Sequence, residues 1–135
     1  MKQRSLWFVG LMSIFTLGIY SLYWLYVTKN EMNEKYNQDV PTFAMVFGPF
    51  IGIFLITPIL LLGVEVAALF WLIAVPSFLI VTAVVLFWIW KYCQAVEKVT
   101  KNGISGIVAF IVFFFADDLA PIFIQHYFNK TSSKD

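Results

Sequence analysis

The sequence predicts an all-α integral membrane protein: a single transmembrane domain over residues 1–135, built from four helices. Three observations lead there. The chain is 61% hydrophobic and 13% charged, where soluble domains run at about 45–50% apolar and about 25% charged. Its mean hydropathy is +0.82, so too few polar side chains exist to cover a globule of this size. Its apolar residues also gather into long runs, each near the roughly 20 residues that cross a hydrocarbon core of about 30 Å. Helix is the only conformation such runs can adopt in lipid, which offers no partner to an open sheet edge. Nine basic against eight acidic residues leave a formal charge of +1. That balance provides no basic excess to hold a phosphate backbone and excludes nucleic acid as a partner.

The first predicted span is Leu6–Val27, 22 residues without a charge. Lys2 and Arg4 precede it as they would a signal peptide, but the run exceeds the roughly 7–15 apolar residues of such a segment and no A-x-A-like site ends it. It is expected to be retained. The second span, over 42–63, lies within the apolar run Val40–Val64, and Glu65 in a tight surface turn separates it from the third, over 66–90. The fourth, over 104–128, is interrupted by Asp117 and Asp118, and 129–135 form a short polar tail. Gly48, Pro49, Pro58, Pro76 and Pro121 inside these runs predict kinks, because neighbouring helices can satisfy the carbonyls a proline frees.

Four crossings place both termini and the Gly63–Glu65 turn on one side, with Lys2, Arg4, Lys130 and Lys134. The other side then holds the Thr28–Asp39 and Lys91–Gly103 loops, with Lys29, Lys35, Lys91, Lys98 and Lys101. Four cations against five leave the orientation undetermined by the positive-inside rule. Both a single orientation and dual insertion as an antiparallel dimer fit that count. Aromatic residues near the span ends are expected at the headgroups: Trp7, Trp71 and Tyr127 on one side, and Tyr23, Trp24, Tyr26, Trp88, Trp90 and Tyr92 on the other.

The exits of the first and third spans share the pattern W-x-Y-x4-E-x3-K. A shift of 66 residues places Trp24, Tyr26, Glu31 and Lys35 on Trp90, Tyr92, Glu97 and Lys101. Either membrane exits converge on aromatic-then-charged sequences, or the chain is two helical hairpins repeated in parallel about an axis along the membrane normal.

Thr16-Leu17-Gly18-Ile19-Tyr20 followed by Tyr23-Trp24 resembles the T-L-G-I-Y-x-x-Y-W signature of a prokaryotic membrane family, catalogued as domain of unknown function 4234. Arg4 and the Trp24-Leu25-Tyr26 exit also look like its pattern, as do Gln125 and Asn129 in a Q-x-x-x-N element of the tail. The resemblance implies a small helical protein of a prokaryotic cytoplasmic membrane and brings no activity with it. Read physically, Gly18 permits close approach by another backbone, while Tyr20, Tyr23 and Trp24 anchor that end at the interface. Packing and anchoring explain Thr16, Gly18 and the three aromatics without a ligand.

Asp117 and Asp118 lead the functional candidates, since a charge inside a span costs about 2.5–3.5 kcal/mol on insertion scales and needs a partner or a purpose. Together with Gln125 and His126 they could form a proton or ion site. Alternatively, Asp118 caps a short helix beginning near Leu119, with Pro121 in its first turn. One histidine and two adjacent carboxylates are too few and too local for a metal site, and no cofactor motif is present. Cys93 is the only cysteine and excludes an intrachain disulfide. No pattern pairs a nucleophile with a base, so the chain is expected not to be an enzyme. The expected role is a non-enzymatic subunit or scaffold in the lipid bilayer, associating with itself or with another membrane protein. The alternative is a small transporter or channel for protons, ions or small solutes using Asp117 and Asp118.

Overall fold

A computed structural model describes residues 2–16, 19–42, 67–116 and 119–133. The described residues form five helices and no strand: α1 (Leu6–Phe15), α2 (Ile19–Tyr36), α3 (Ala67–Val99), α4 (Gly106–Phe115) and α5 (Ala120–Ser132). All of the second predicted span, over 42–63, except Thr42 lies outside them, as does the Gly63–Glu65 turn. The chain divides into two units, Met1–Val40 with Ile89–Asp135, and Pro41–Trp88.

Only one described helix is long and apolar enough to cross a membrane, α3 over Val75–Val99. It contains Pro76, whose missing N–H leaves one carbonyl of the preceding turn without its helical donor. Within the second unit, Trp88 is buried and donates its indole N–H to the Pro41 carbonyl at 2.8 Å.

Over the first and fourth predicted spans the described residues form two helices each, packed on one another, rather than one helix long enough to cross a membrane. In the first, α1 stops at Thr16, whose hydroxyl donates to the Met12 carbonyl at 2.6 Å and accepts the Tyr20 N–H at 2.9 Å. One threonine side chain thus ends α1 and satisfies an orphan donor at the start of α2. The chain then returns. Phe8 packs edge-on against Tyr20 with centroids 5.8 Å apart, and Arg4 pairs with Glu31. A straight helix would separate those last two residues by about 40 Å at 1.5 Å per residue.

The fourth run repeats the device. Ser105 caps α4 by accepting the Ile107 N–H at 3.3 Å. The run breaks after Phe115, and α5 starts at Ala120 with Pro121 in its first turn. There the absent proline N–H costs nothing. A short helix with Pro121 near its start is what the capping alternative expected, although Leu119 occupies the N-cap position and Asp117 and Asp118 lie outside the described residues. The base of this second hairpin closes where Gly103 approaches the Tyr127 ring.

The two hairpins pack through α1 and α5, which run antiparallel: Arg4 lies against Asn129, and Gly10 against Ile122. A Cβ on Gly10 would sit 2.7 Å from Ile122 Cδ1, so glycine there sets how closely the two helices approach. The last turns of α3 complete the first unit. Tyr92 packs edge-on against Phe113 with centroids 5.9 Å apart, and Trp90 packs on Phe110 at 5.5 Å. Glu97 accepts the Gly106 N–H at 2.9 Å.

This packing gives the first unit a polar end and an apolar end. The polar end collects the N-terminal residues, the C-terminal half of α2, the α3–α4 connection and the last turns of α5. At the other end the hairpins turn, and Phe15 and Phe115 are each 80% exposed. Phe8, Leu11 and Ile14 on α1, and Ile107, Ile111 and Phe114 on α4, continue that apolar surface.

Two further expectations change. Trp24, Trp88 and Tyr92 are buried rather than exposed at an interface, because the helices they sit on pack there; Trp7, Tyr23 and Tyr26 remain exposed. The side chain of Trp71 lies outside the described residues. The pairs aligned by the 66-residue shift also occupy unlike environments: Trp24 is buried and Trp90 half-buried, while Tyr26 is exposed and Tyr92 buried. Lys101 lies beyond the end of α3 with φ 53°, so it cannot reproduce the helical i,i+4 spacing that Glu31 and Lys35 have within α2.

Candidate functional site

The buried polar groups of the first unit converge on Gln125, in the middle of α5. It is fully buried, and α5 directs it at α1 and α2 because it shares a helical face with Ile124 and Phe128 on the core side. Its Oε1 accepts the Trp24 indole N–H at 2.9 Å and lies 3.5 Å from Arg4 Nη1. Its Nε2 donates to Asn129 Oδ1 at 2.8 Å and lies 3.4 Å from the Lys2 carbonyl. Asn129, one turn on, holds both backbone groups of Arg4, accepting its N–H at 3.1 Å and donating to its carbonyl at 2.7 Å. An amide side chain thereby serves the N-terminal segment as a neighbouring strand would.

Glu31 supplies the remaining acceptors. One carboxylate oxygen pairs with the Arg4 guanidinium and the other accepts the Lys2 N–H at 2.8 Å. Arg4 and Glu31 each keep only 15% side-chain exposure, so a charge on either would be costly without the other. Below this layer, Trp24 stacks on Phe128 with centroids 6.3 Å apart and tilts against Tyr92 at 6.4 Å. The Tyr92 hydroxyl meets the Thr28 hydroxyl at 2.7 Å, and Thr28 also donates to the Trp24 carbonyl at 2.7 Å. The segment 2–4, α2, α3 and α5 are thus tied into one hydrogen-bonded cluster.

Of the sequence-predicted ion or proton candidates, only Gln125 and His126 are among the described residues. Asp117 and Asp118 lie outside the described residues. Gln125 and His126 are adjacent on α5 but diverge: Gln125 enters the core, whereas His126 is exposed beside the Tyr127 ring, with centroids 5.6 Å apart. Among the described residues no group of three His, Cys, Asp or Glu side chains could hold a metal ion.

The signature residues take several different places. Thr16 forms the hairpin break, and Gly18 lies outside the described residues. Tyr20 is half-buried between Phe8 and Tyr23. Tyr23 is exposed as an interfacial residue would be, but Trp24 anchors the core through Gln125. Sequence reasoning missed the roles of Glu31 and Asn129 in this cluster. The readable signal was spacing: Gln125 and Asn129 are four apart on one helical face, and Arg4 and Glu31 stand at nearly equal distances on either side of Leu17-Gly18.

A family model described as Domain of unknown function (DUF4234) matches residues 4–100. No curated protein and no solved structure matches the chain. The matched stretch opens at Arg4, takes in α1, α2 and α3, and ends before α4, so Gln125 and Asn129 fall outside it. The chain belongs to the family described as Domain of unknown function (DUF4234).

Proposed function

We propose that this protein is a small integral membrane protein without catalytic chemistry of its own, working as a structural subunit or scaffold within a membrane complex. One observation carries the reading: the polar side chains that converge on Gln125 are engaged with one another, while large apolar side chains are presented outward on α1, α3 and α4. Leu72, Phe78, Leu79 and Phe87 are exposed on α3 as Trp7 and Phe15 are on α1 and Phe114 and Phe115 on α4. Exposed apolar surface on this scale marks a membrane or protein contact, and lipid covers it without cost.

The residues around Gln125 do not resemble a ligand site. Their donors and acceptors meet each other at 2.7–3.5 Å, which explains a conformation rather than a reaction. The test is fractionation followed by gentle solubilisation. The chain is expected to stay with membranes after alkaline carbonate extraction and to migrate in mild detergent as a discrete complex larger than one chain. Release by carbonate, or a clean monomer at every concentration, would contradict the proposal.

A further inference from the structure

The sequence divides the cations of this chain four against five between two membrane sides. The fold brings most of those among the described residues to one end. Arg4 touches Glu31 of α2 and also Gln125 and Asn129 of α5. Glu97 of α3 holds the Gly106 N–H, and Gly103 approaches Tyr127. The Arg4–Glu31 and Gly103–Tyr127 contacts each join segments that four continuous spans would put on opposite faces. Because α1 and α4 each turn back after 10 residues, about 15 Å of rise, neither hairpin carries the chain across a hydrocarbon core of roughly 30 Å.

The polar end is also markedly basic. In the sequence, residues 2–5, 29–39, 97–105 and 129–133, which meet at that end, carry Lys2, Arg4, Lys29, Lys35, Lys98, Lys101 and Lys130 against Glu31, Glu34, Asp39 and Glu97. That is an excess of three positive charges in a chain whose formal net charge is +1. Lys2, Lys35, Lys98 and Lys130 are exposed. Residues 5–28 carry no charge, and 102–129 carry only Asp117 and Asp118, which lie outside the described residues; these stretches form the two hairpins.

We infer that residues 2–5, 29–39, 97–105 and 129–133 share one membrane face, that this face is cytoplasmic, and that its exposed lysines Lys2, Lys35, Lys98 and Lys130 lie against anionic phospholipid headgroups. This rests on the membrane reading above. The positive-inside rule, undecided when cations are divided by four spans, becomes one-sided once both hairpins return to the face they left. Surface lysines near an anionic leaflet are attracted to it over about a Debye length, so the face that fixes orientation is also the face that grips lipid.

The test is sided cysteine labelling. Cys93 is buried and stays in place, with the parent chain as the unlabelled baseline. Lys2→Cys, Glu34→Cys, Lys98→Cys and Lys130→Cys are made singly at exposed positions and treated with a membrane-impermeant maleimide in inside-out and right-side-out vesicles. All four are expected to label in inside-out vesicles and to lose labelling in right-side-out ones. Labelling of Lys2→Cys or Lys130→Cys from the face opposite Glu34→Cys and Lys98→Cys would overturn the shared face. Labelling of all four from outside would overturn the orientation. A failure of the membrane reading looks different: carbonate releases the chain, and all four sites label in both preparations.

Discussion

Trp24 and Gln125 join the two hairpins through one hydrogen bond at 2.9 Å between side chains that are 1% and 0% exposed. Gln125→Leu keeps the volume nearly constant but leaves the indole N–H without an acceptor, which costs about 1–3 kcal/mol for a buried donor. It also removes the Nε2 donor to Asn129, so about 2–3 kcal/mol is expected in total. Trp24→Phe removes the donor and part of the stack on Phe128; the smaller ring leaves a cavity, and a loss of about 2 kcal/mol is expected. The pair reveals the mechanism. In the double variant no donor is orphaned, so the loss should fall short of the sum of the single losses by about 1 kcal/mol. Hydrogen bonds between membrane helices average nearer 0.6 kcal/mol, so a coupling of that size still fits. The assay is unfolding by SDS titration in mild detergent, followed by far-UV circular dichroism because Trp24 is itself a fluorophore. Additivity within about 0.3 kcal/mol would refute the claim that this bond links the hairpins.

Three further outcomes follow from the same contacts. Glu31→Ala should destabilise the fold by about 1–3 kcal/mol, because Arg4 is then left half-enclosed with only a long contact to Gln125; Glu34→Ala, at an exposed position, should be within about 0.5 kcal/mol of the parent in the same titration. Gly106→Ala should cost more than Gly10→Ala: its Cβ would lie 2.8 Å from Glu97 Oε2 and 3.2 Å from the Cys93 backbone carbonyl, whereas Gly10 faces the mobile end of Ile122. Thermal unfolding in detergent checks that order, and Ile122→Val should recover part of the Gly10→Ala loss. Asn129→Ala should free the Arg4 backbone and open the N-terminus to trypsin after Lys2 and Arg4, at a rate the parent does not show; equal cleavage would contradict the role given to Asn129.

Helical character, the positions of the apolar runs and the identity of the family were legible from the residues. The folding-back of those runs was not. Hydropathy measures how many apolar residues lie in succession, and 22 of them satisfy the criterion equally as one crossing or as α1 and the start of α2. The break at Thr16 depends on a hydroxyl that bonds Met12 and Tyr20 at once, a local event with little compositional trace. Pro121 was the clearer sign, since proline favours a helix start over a helix interior, and the break before α5 was foreseen as an alternative. Trp24, Trp88 and Tyr92 misled because aromatics near a charge boundary suit either a headgroup zone or a packed core, and only the partners decide. Gln125 was singled out correctly as an unusual polar residue in an apolar stretch; its partners Trp24 and Arg4 lie 101 and 121 residues away, beyond what local spacing can show.

The fold-back of the first apolar run is the claim on which the shared polar face depends, and one distance in the native membrane tests it most directly. Spin labels at Gln3→Cys and Glu34→Cys, both exposed positions, report the separation by double electron–electron resonance, with Cys93 buried and silent. The Lys2 N–H bonded to Glu31 at 2.8 Å lies beside this pair, so a separation below about 25 Å is expected once the label arms are included. A continuous helix through residues 3–34 would place the labels roughly 46 Å apart, and that distance would contradict the account.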